Sequence, residues 1–128
     1  MLSSGGLREA LPAAAGRAAL PTTVDTEGVG RYSAEIESTV YFCCLEAVQN
    51  AAKHAGADAE IQVRVREQGR ELVFEVIDDG VGFTPRGGGA AGHGFVNMTD
   101  RLGAVGGRFA VTSSPGNGTS IRGEIPLP

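Results

Sequence analysis

Glu46-Ala47-Val48-Gln49-Asn50-Ala51-Ala52-Lys53-His54 closes the longest periodic stretch of the chain. Ser33 supplies an N-cap ahead of it. Ile36, Val40, Cys44, Ala47 and Ala51 recur at the spacing of one helical face, so the sequence predicts a helix from Ser33 to about His54, stopped at Ala55-Gly56. Glu46 and Asn50 are four residues apart, with Lys53 and His54 seven and eight beyond Glu46, so all four share a face away from the apolar series. A carboxylate, a carboxamide and two cationic groups in one row can hold a metal and polarise an attacking group, since Mg²⁺ takes hard oxygen ligands. The same row also reads as an ordinary solvated face, and on this helix alone that reading is the stronger one.

Downstream, Ile61, Val63 and Val65 alternate with Gln62, Arg64 and Arg66, the period of a half-buried strand. Glu67-Gln68-Gly69-Arg70 turns the chain into a second, more apolar strand over Leu72 to Ile77. Asp78-Asp79-Gly80-Val81-Gly82-Phe83 then breaks that strand, and the glycine-rich run up to Gly94 offers little to pack. Phe95, Met98, Leu102 and Val105 mark one face of another helix, stopped by Gly106-Gly107. Arg108 to Ser113 and Thr119 to Ile125 flank Pro115-Gly116-Asn117-Gly118 as a second hairpin. Upstream, Thr22-Thr23-Val24 suits an edge strand, and residues 1–20 read as a weak helix or the end of a linker. The expected architecture is a two-layer α/β sandwich, with helices on one face of a mixed, mostly antiparallel sheet over residues 21–128.

Composition narrows the function. The chain has 128 residues, 41% hydrophobic content, a net charge of −4 and a pI near 5.1. That is enough for one core and offers no basic footprint for nucleic acid. Cys43 and Cys44 are adjacent in an apolar run, where a bridge would be strained, so they read as a buried reduced pair in a cytosolic protein. No apolar stretch approaches the roughly 20 residues of a membrane-spanning helix, so the domain is expected to make no membrane contact.

Three further features carry chemistry. Asp78 ends a buried strand and is followed by Gly80 and Gly82, which let a flat ligand approach the backbone. Its carboxylate can accept from an exocyclic amine such as that of adenine. Gly92-His93-Gly94 leads into the helix at Phe95, where free N–H groups and the helix dipole suit phosphate, yet no Gly-Lys-Ser/Thr sequence of a Walker loop occurs. Gly118-Thr119 sets a hydroxyl at a strand start and, by itself, reads as a turn.

In order, Glu46-x-x-x-Asn50-x-x-Lys53-His54, Asp78-Asp79-Gly80-Val81-Gly82-Phe83, Gly92-His93-Gly94-Phe95-x-x-Met98-x-x-Arg101 and Gly118-Thr119 resemble the N, G1 and G2 boxes of the histidine kinase and gyrase-type ATPase superfamily. The stretches around Asn50 and Gly94 look especially like sensor kinases of the nitrate-responsive and desaturase-regulating type. The resemblance covers about three quarters of the chain and implies a Bergerat ATP-binding fold with ATP and Mg²⁺ as ligands. By position, Asn50 would hold Mg²⁺ and Asp78 the adenine amine. Gly80 and Gly82 would seat the base, and Gly92 and Gly94 would close over the phosphates. Thr119 would support the adenine side, with Lys53, His54, Phe83, His93 and Phe95 completing the nucleotide site. Glu46 would be the catalytic candidate.

The resemblance also implies partners: dimerising helices that carry the phosphoaccepting histidine, and a response regulator. His54 and His93 are the only histidines, and both occupy ATP-site motifs, so the chain is expected to bind ATP and to need that acceptor from elsewhere. Asp79 stands where kinases often carry Asn. The rival readings are an anti-sigma-factor serine kinase, an energy-coupling ATPase and a binding module without turnover.

Overall fold

The computed structural model describes residues 5–82 and 92–128, with side chains of the last helix described from residue 97 onward. The elements are α1 (Leu7–Ala15), β1 (Thr22–Asp25), α2 (Ala34–His54), β2 (Ile61–Gln68), β3 (Glu71–Asp78), α3 (Gly92–Ala104), β4 (Arg108–Ser113) and β5 (Thr119–Pro126). The five strands form one sheet in the order β1-β2-β3-β5-β4. β1 pairs with β2 in parallel, and the other three pairings are antiparallel.

Alternation fixes which face is covered. Ile61, Val63, Val65, Leu72, Phe74, Val76, Ile121 and Ile125 share one face and are all buried, packed with Val40, Cys43, Cys44 and Ala47 of α2 and Met98 and Leu102 of α3. This is the expected sandwich of helices on one side of a mixed sheet. Glycine makes it fit at one point, because a Cβ at Gly123 would run into the buried ring of Phe74 on the neighbouring strand. The opposite face carries a charged ladder. Arg66 pairs with Glu75 at 3.2 Å, Glu75 with Arg122 at 3.4 Å, Arg122 with Glu124 at 2.9 Å, and Arg108 reaches both Glu124 and Glu71.

α2 begins where its cap predicts, with Ser33 Oγ accepting from the Ile36 N–H at 3.2 Å. Glu37 in its first turn is buried and accepts from Arg31 Nε at 2.8 Å, Arg31 Nη2 at 3.1 Å and the Tyr32 N–H at 3.1 Å. The Arg31 guanidinium holds the Glu37 carboxyl below the usual carboxylate range. Gly6 packs against this pair with φ +64°, and Leu7 and Leu11 of α1 are buried in the main cluster. Residues 7–15 therefore pack as part of the core, where the sequence had suggested a weak helix or linker end. Two spaced leucines in an alanine-rich run with Pro12 carry too little periodicity to foretell this.

Two boundaries differ from expectation. β2 and β3 run to within two residues of each other, so the turn is only Gly69-Arg70, with Gly69 at φ +59°. α3 begins at Gly92, so Gly92-His93-Gly94 lies inside its first turn rather than ahead of it. Among the described residues no helix is long and apolar enough to cross a membrane. Gly103 in α3 is exposed, and a Cβ there would meet nothing within 4 Å. Gly103→Ala should therefore stabilise the domain by about 0.5–1 kcal/mol through helix propensity, read as a rise in the urea midpoint at unchanged slope.

Candidate functional site

β3 ends at Asp78, and the chain beyond it is tied to the end of α2. The Val81 N–H donates to the Ala55 carbonyl at 3.0 Å, so residues 79–82 lie against the last turn of the helix that carries Asn50, Lys53 and His54. The turn between β4 and β5 joins the same rim, because the Gly116 N–H donates to the Val81 carbonyl at 2.7 Å. Three segments distant in sequence are thus stitched into one edge by backbone hydrogen bonds.

The glycines of this edge have packing reasons. A Cβ on Gly80 would overlap the Ala55 carbonyl, one on Gly82 the Ser114 carbonyl, and one on Gly118 the Asp78 carbonyl. Gly82 and Gly118 also sit at φ +66° and +71°, where side chains are strained. The backbone therefore approaches closely wherever the sequence placed a G1-type glycine, and Val81 between them is left 58% exposed.

Asp78 is 8% exposed on the helix-covered side of the sheet. Its Oδ1 accepts from the Gly80 N–H at 2.9 Å. Burial pushes its carboxyl above the usual range, the N–H groups of Gly80 and Thr119 draw it back, and the charge of Asp79 adds to the rise. Thr119 is its direct partner across the β3–β5 pairing, so the two sequence candidates stand side by side. Ser113 completes the row on β4, its Oγ 2.9 Å from Thr119 Oγ1 and donating to the Gly118 carbonyl at 2.9 Å. The sequence reading missed Ser113; counting residues outward from the turn at 114–118 pairs it with Thr119. Asp79 does different work. Its Oδ1 accepts from the Glu60 N–H at 2.7 Å, which fastens the entry to β2.

On α2, Lys53 and His54 are exposed, whereas Glu46 and Asn50 are half-buried. The Nδ2 of Asn50 is buried and has no hydrogen-bond partner among the described residues. A carboxamide so placed suits a ligand that supplies both a cation for its oxygen and an acceptor for its amide, as a metal-bound phosphate does. Among the described residues no group of three His, Cys, Asp or Glu side chains could cage a metal. Phe83 lies outside the described residues. Gly92, His93, Gly94 and Phe95 are placed only as the backbone of the first turn of α3.

The profile of the family described as histidine kinase-, DNA gyrase B- and HSP90-like ATPase matches residues 35–128. Among solved structures, the chain is similar to the histidine kinase domain from the Erythrobacter litoralis EL346 blue-light activated histidine kinase, with TM-score 0.70 and 23% identity, covering 99% of this chain and 66% of that one. A second structure of the Erythrobacter litoralis EL346 kinase gives TM-score 0.77 and 25% identity over 94% of this chain and 40% of the other. A mycobacterial sensor histidine kinase, MprB, gives TM-score 0.66 and 18% identity over 93% and 91% of the two chains. The chain thus spans less than two thirds of the two Erythrobacter chains it matches.

Proposed function

This chain belongs to the histidine kinase-, DNA gyrase B- and HSP90-like ATPase family, and from that premise we propose that it binds Mg²⁺-ATP as the catalytic domain of a sensor histidine kinase. In this reading the γ-phosphate passes to a histidine on a separate pair of dimerising helices and from there to a response regulator. The observation that supports it most directly is Asp78, a buried acceptor at the end of β3 on the rim that joins the end of α2, residues 79–82 and the turn between β4 and β5.

The residues divide the work. Asp78 accepts from the adenine amine, Thr119 supports that side of the base, and Gly80 and Gly82 form the backbone edge beside it, their close packing on Ala55 and Ser114 fixing its shape. Asn50 holds Mg²⁺ through its side-chain oxygen. When bound, the ion would offset the charge of the phosphates. Gly92 and Gly94 present backbone N–H groups to the phosphates at the start of α3. Lys53, His54, Phe83, His93 and Phe95 line the nucleotide, and Glu46 accepts or orients the proton of the attacking imidazole.

Calorimetry with a non-hydrolysable ATP analogue tests the proposal. Binding should appear with Mg²⁺, and Asn50→Ala should remove the part that depends on Mg²⁺ while leaving metal-free binding nearly unchanged. No heat from folded wild-type protein in the presence of Mg²⁺ would overturn it. The two aspartates should respond unequally. Asp78→Asn swaps a pure acceptor for a group that also presents donors, and should weaken ATP binding roughly ten- to hundredfold. Asp79→Asn keeps an oxygen for the Glu60 N–H and should change affinity little. Equal losses from both would refute the roles assigned. Because burial raises the Asp78 carboxyl, ATP affinity should also decline on acidification at a higher pH than an ordinary aspartate would give.

A further inference from the structure

A carboxylate set to act beside a triphosphate faces like charge, and something positive must offset it. Lys53 and His54 lie beyond Asn50, at the far end of the α2 row from Glu46. At Glu46's own end, a cation arrives from α3: the Arg101 guanidinium carbon stands 3.8 Å from the centroid of the Phe42 ring. Phe42 is one helical turn before Glu46 on α2, so ring and carboxylate are neighbours along the same face.

The buried Cys43 thiol registers both charges. Burial pushes it up to about 12, the Arg101 cation draws it down, and the Glu46 carboxylate raises it. Arg101 and Glu46 are therefore within electrostatic reach of one sulfur. Stacking engages the flat face of a guanidinium and leaves its N–H edge for an anion, and it holds the group in one orientation although Arg101 is exposed.

We infer that Arg101 is a positioning residue of the phosphoryl-transfer site: held on Phe42, its cation offsets the repulsion between the Glu46 carboxylate and the γ-phosphate and keeps Glu46 beside the attacking group. This rests on the ATP-dependent kinase reading above. It predicts that Arg101 affects the rate of transfer more than the binding of ATP.

The test uses the full kinase, with its own acceptor helices, carrying Arg101→Met or Arg101→Lys. Arg101→Met keeps the apolar stem on the ring and removes the charge. Its kcat for phosphoryl transfer should fall about 10- to 100-fold, below the hundred- to thousandfold of a buried oxyanion donor because the site is exposed and screened. ATP affinity should change less than about threefold, and Arg101→Lys should recover much of the rate. In a Glu46→Gln background, Arg101→Met should add less than about threefold, since a residue acting through Glu46 has little left to act on. A wild-type rate in R101M, a loss of affinity as large as the loss of rate, or full additivity with E46Q would each overturn the inference. If R101M proves unfolded by circular dichroism, Phe42→Leu replaces it, with the same rate loss expected and an unchanged rate overturning the inference. A wild-type rate in E46Q removes this inference and leaves ATP binding standing, whereas wild-type protein that binds no Mg²⁺-ATP analogue removes both.

Discussion

Glu46→Gln protein should bind Mg²⁺-ATP as the wild type does and transfer phosphate roughly 10²- to 10⁴-fold more slowly, the usual scale of a general acid–base contribution. Gln keeps the size and hydrogen-bonding reach of Glu and loses only the ionised acceptor. Glu46 is half-buried on the face it shares with Asn50 and lies outside the hydrophobic core, so the fold should be unaffected. The measurement needs the phosphoaccepting helices, supplied in trans or in one chain, with binding followed separately by calorimetry. Equal rates in the two proteins would reduce Glu46 to a solvated carboxylate, the plain reading of that helix face.

Gly118→Ala should produce a large loss of stability, about 2–4 kcal/mol. The new methyl group is placed against the Asp78 carbonyl, and the left-handed backbone at φ +71° adds its own strain. For a domain of this size the melting temperature should fall by roughly 8–16 °C. Gly116 lies two residues earlier in the same turn at φ +82°, with nothing within 4 Å of a Cβ. Gly116→Ala should therefore cost only the backbone strain, about 1–2 kcal/mol. Paired thermal scans read the difference, and equal shifts would show that the close approach to Asp78 costs nothing.

Much of this arrangement was legible in the sequence because its signals are local. The α2 period, the Ser33 cap and the alternation of β2 each depend on near neighbours, and all three appear as expected. The Gly80 and Gly118 close approaches were anticipated as glycines and not as contacts, since the atoms they spare, the carbonyls of Ala55 and Asp78, come from other segments. Ser113 was overlooked because no local motif marks it: its place beside Thr119 follows from strand register, counted outward from the turn. β1 was expected as an edge strand, but its parallel pairing with β2 depends on how the chain crosses over through α2. The buried Glu37 escaped notice because its partner Arg31 lies before the cap, outside any helical spacing.

That crossover also sets the order in which the domain comes apart. Thr22 meets Ile61, a separation of 39 residues (61 − 22), while β2 with β3 and β4 with β5 close through short turns. Loop closure over the longer span is entropically dearer, and β1 has four residues and a single neighbouring strand to hold it. α1 and β1 should thus be the last unit to join during folding and the first to exchange amide protons with solvent. The stitched rim of Ala55, Val81 and Gly116 should belong to the slower-exchanging remainder, so that edge should stay assembled while the N-terminal unit opens and recloses.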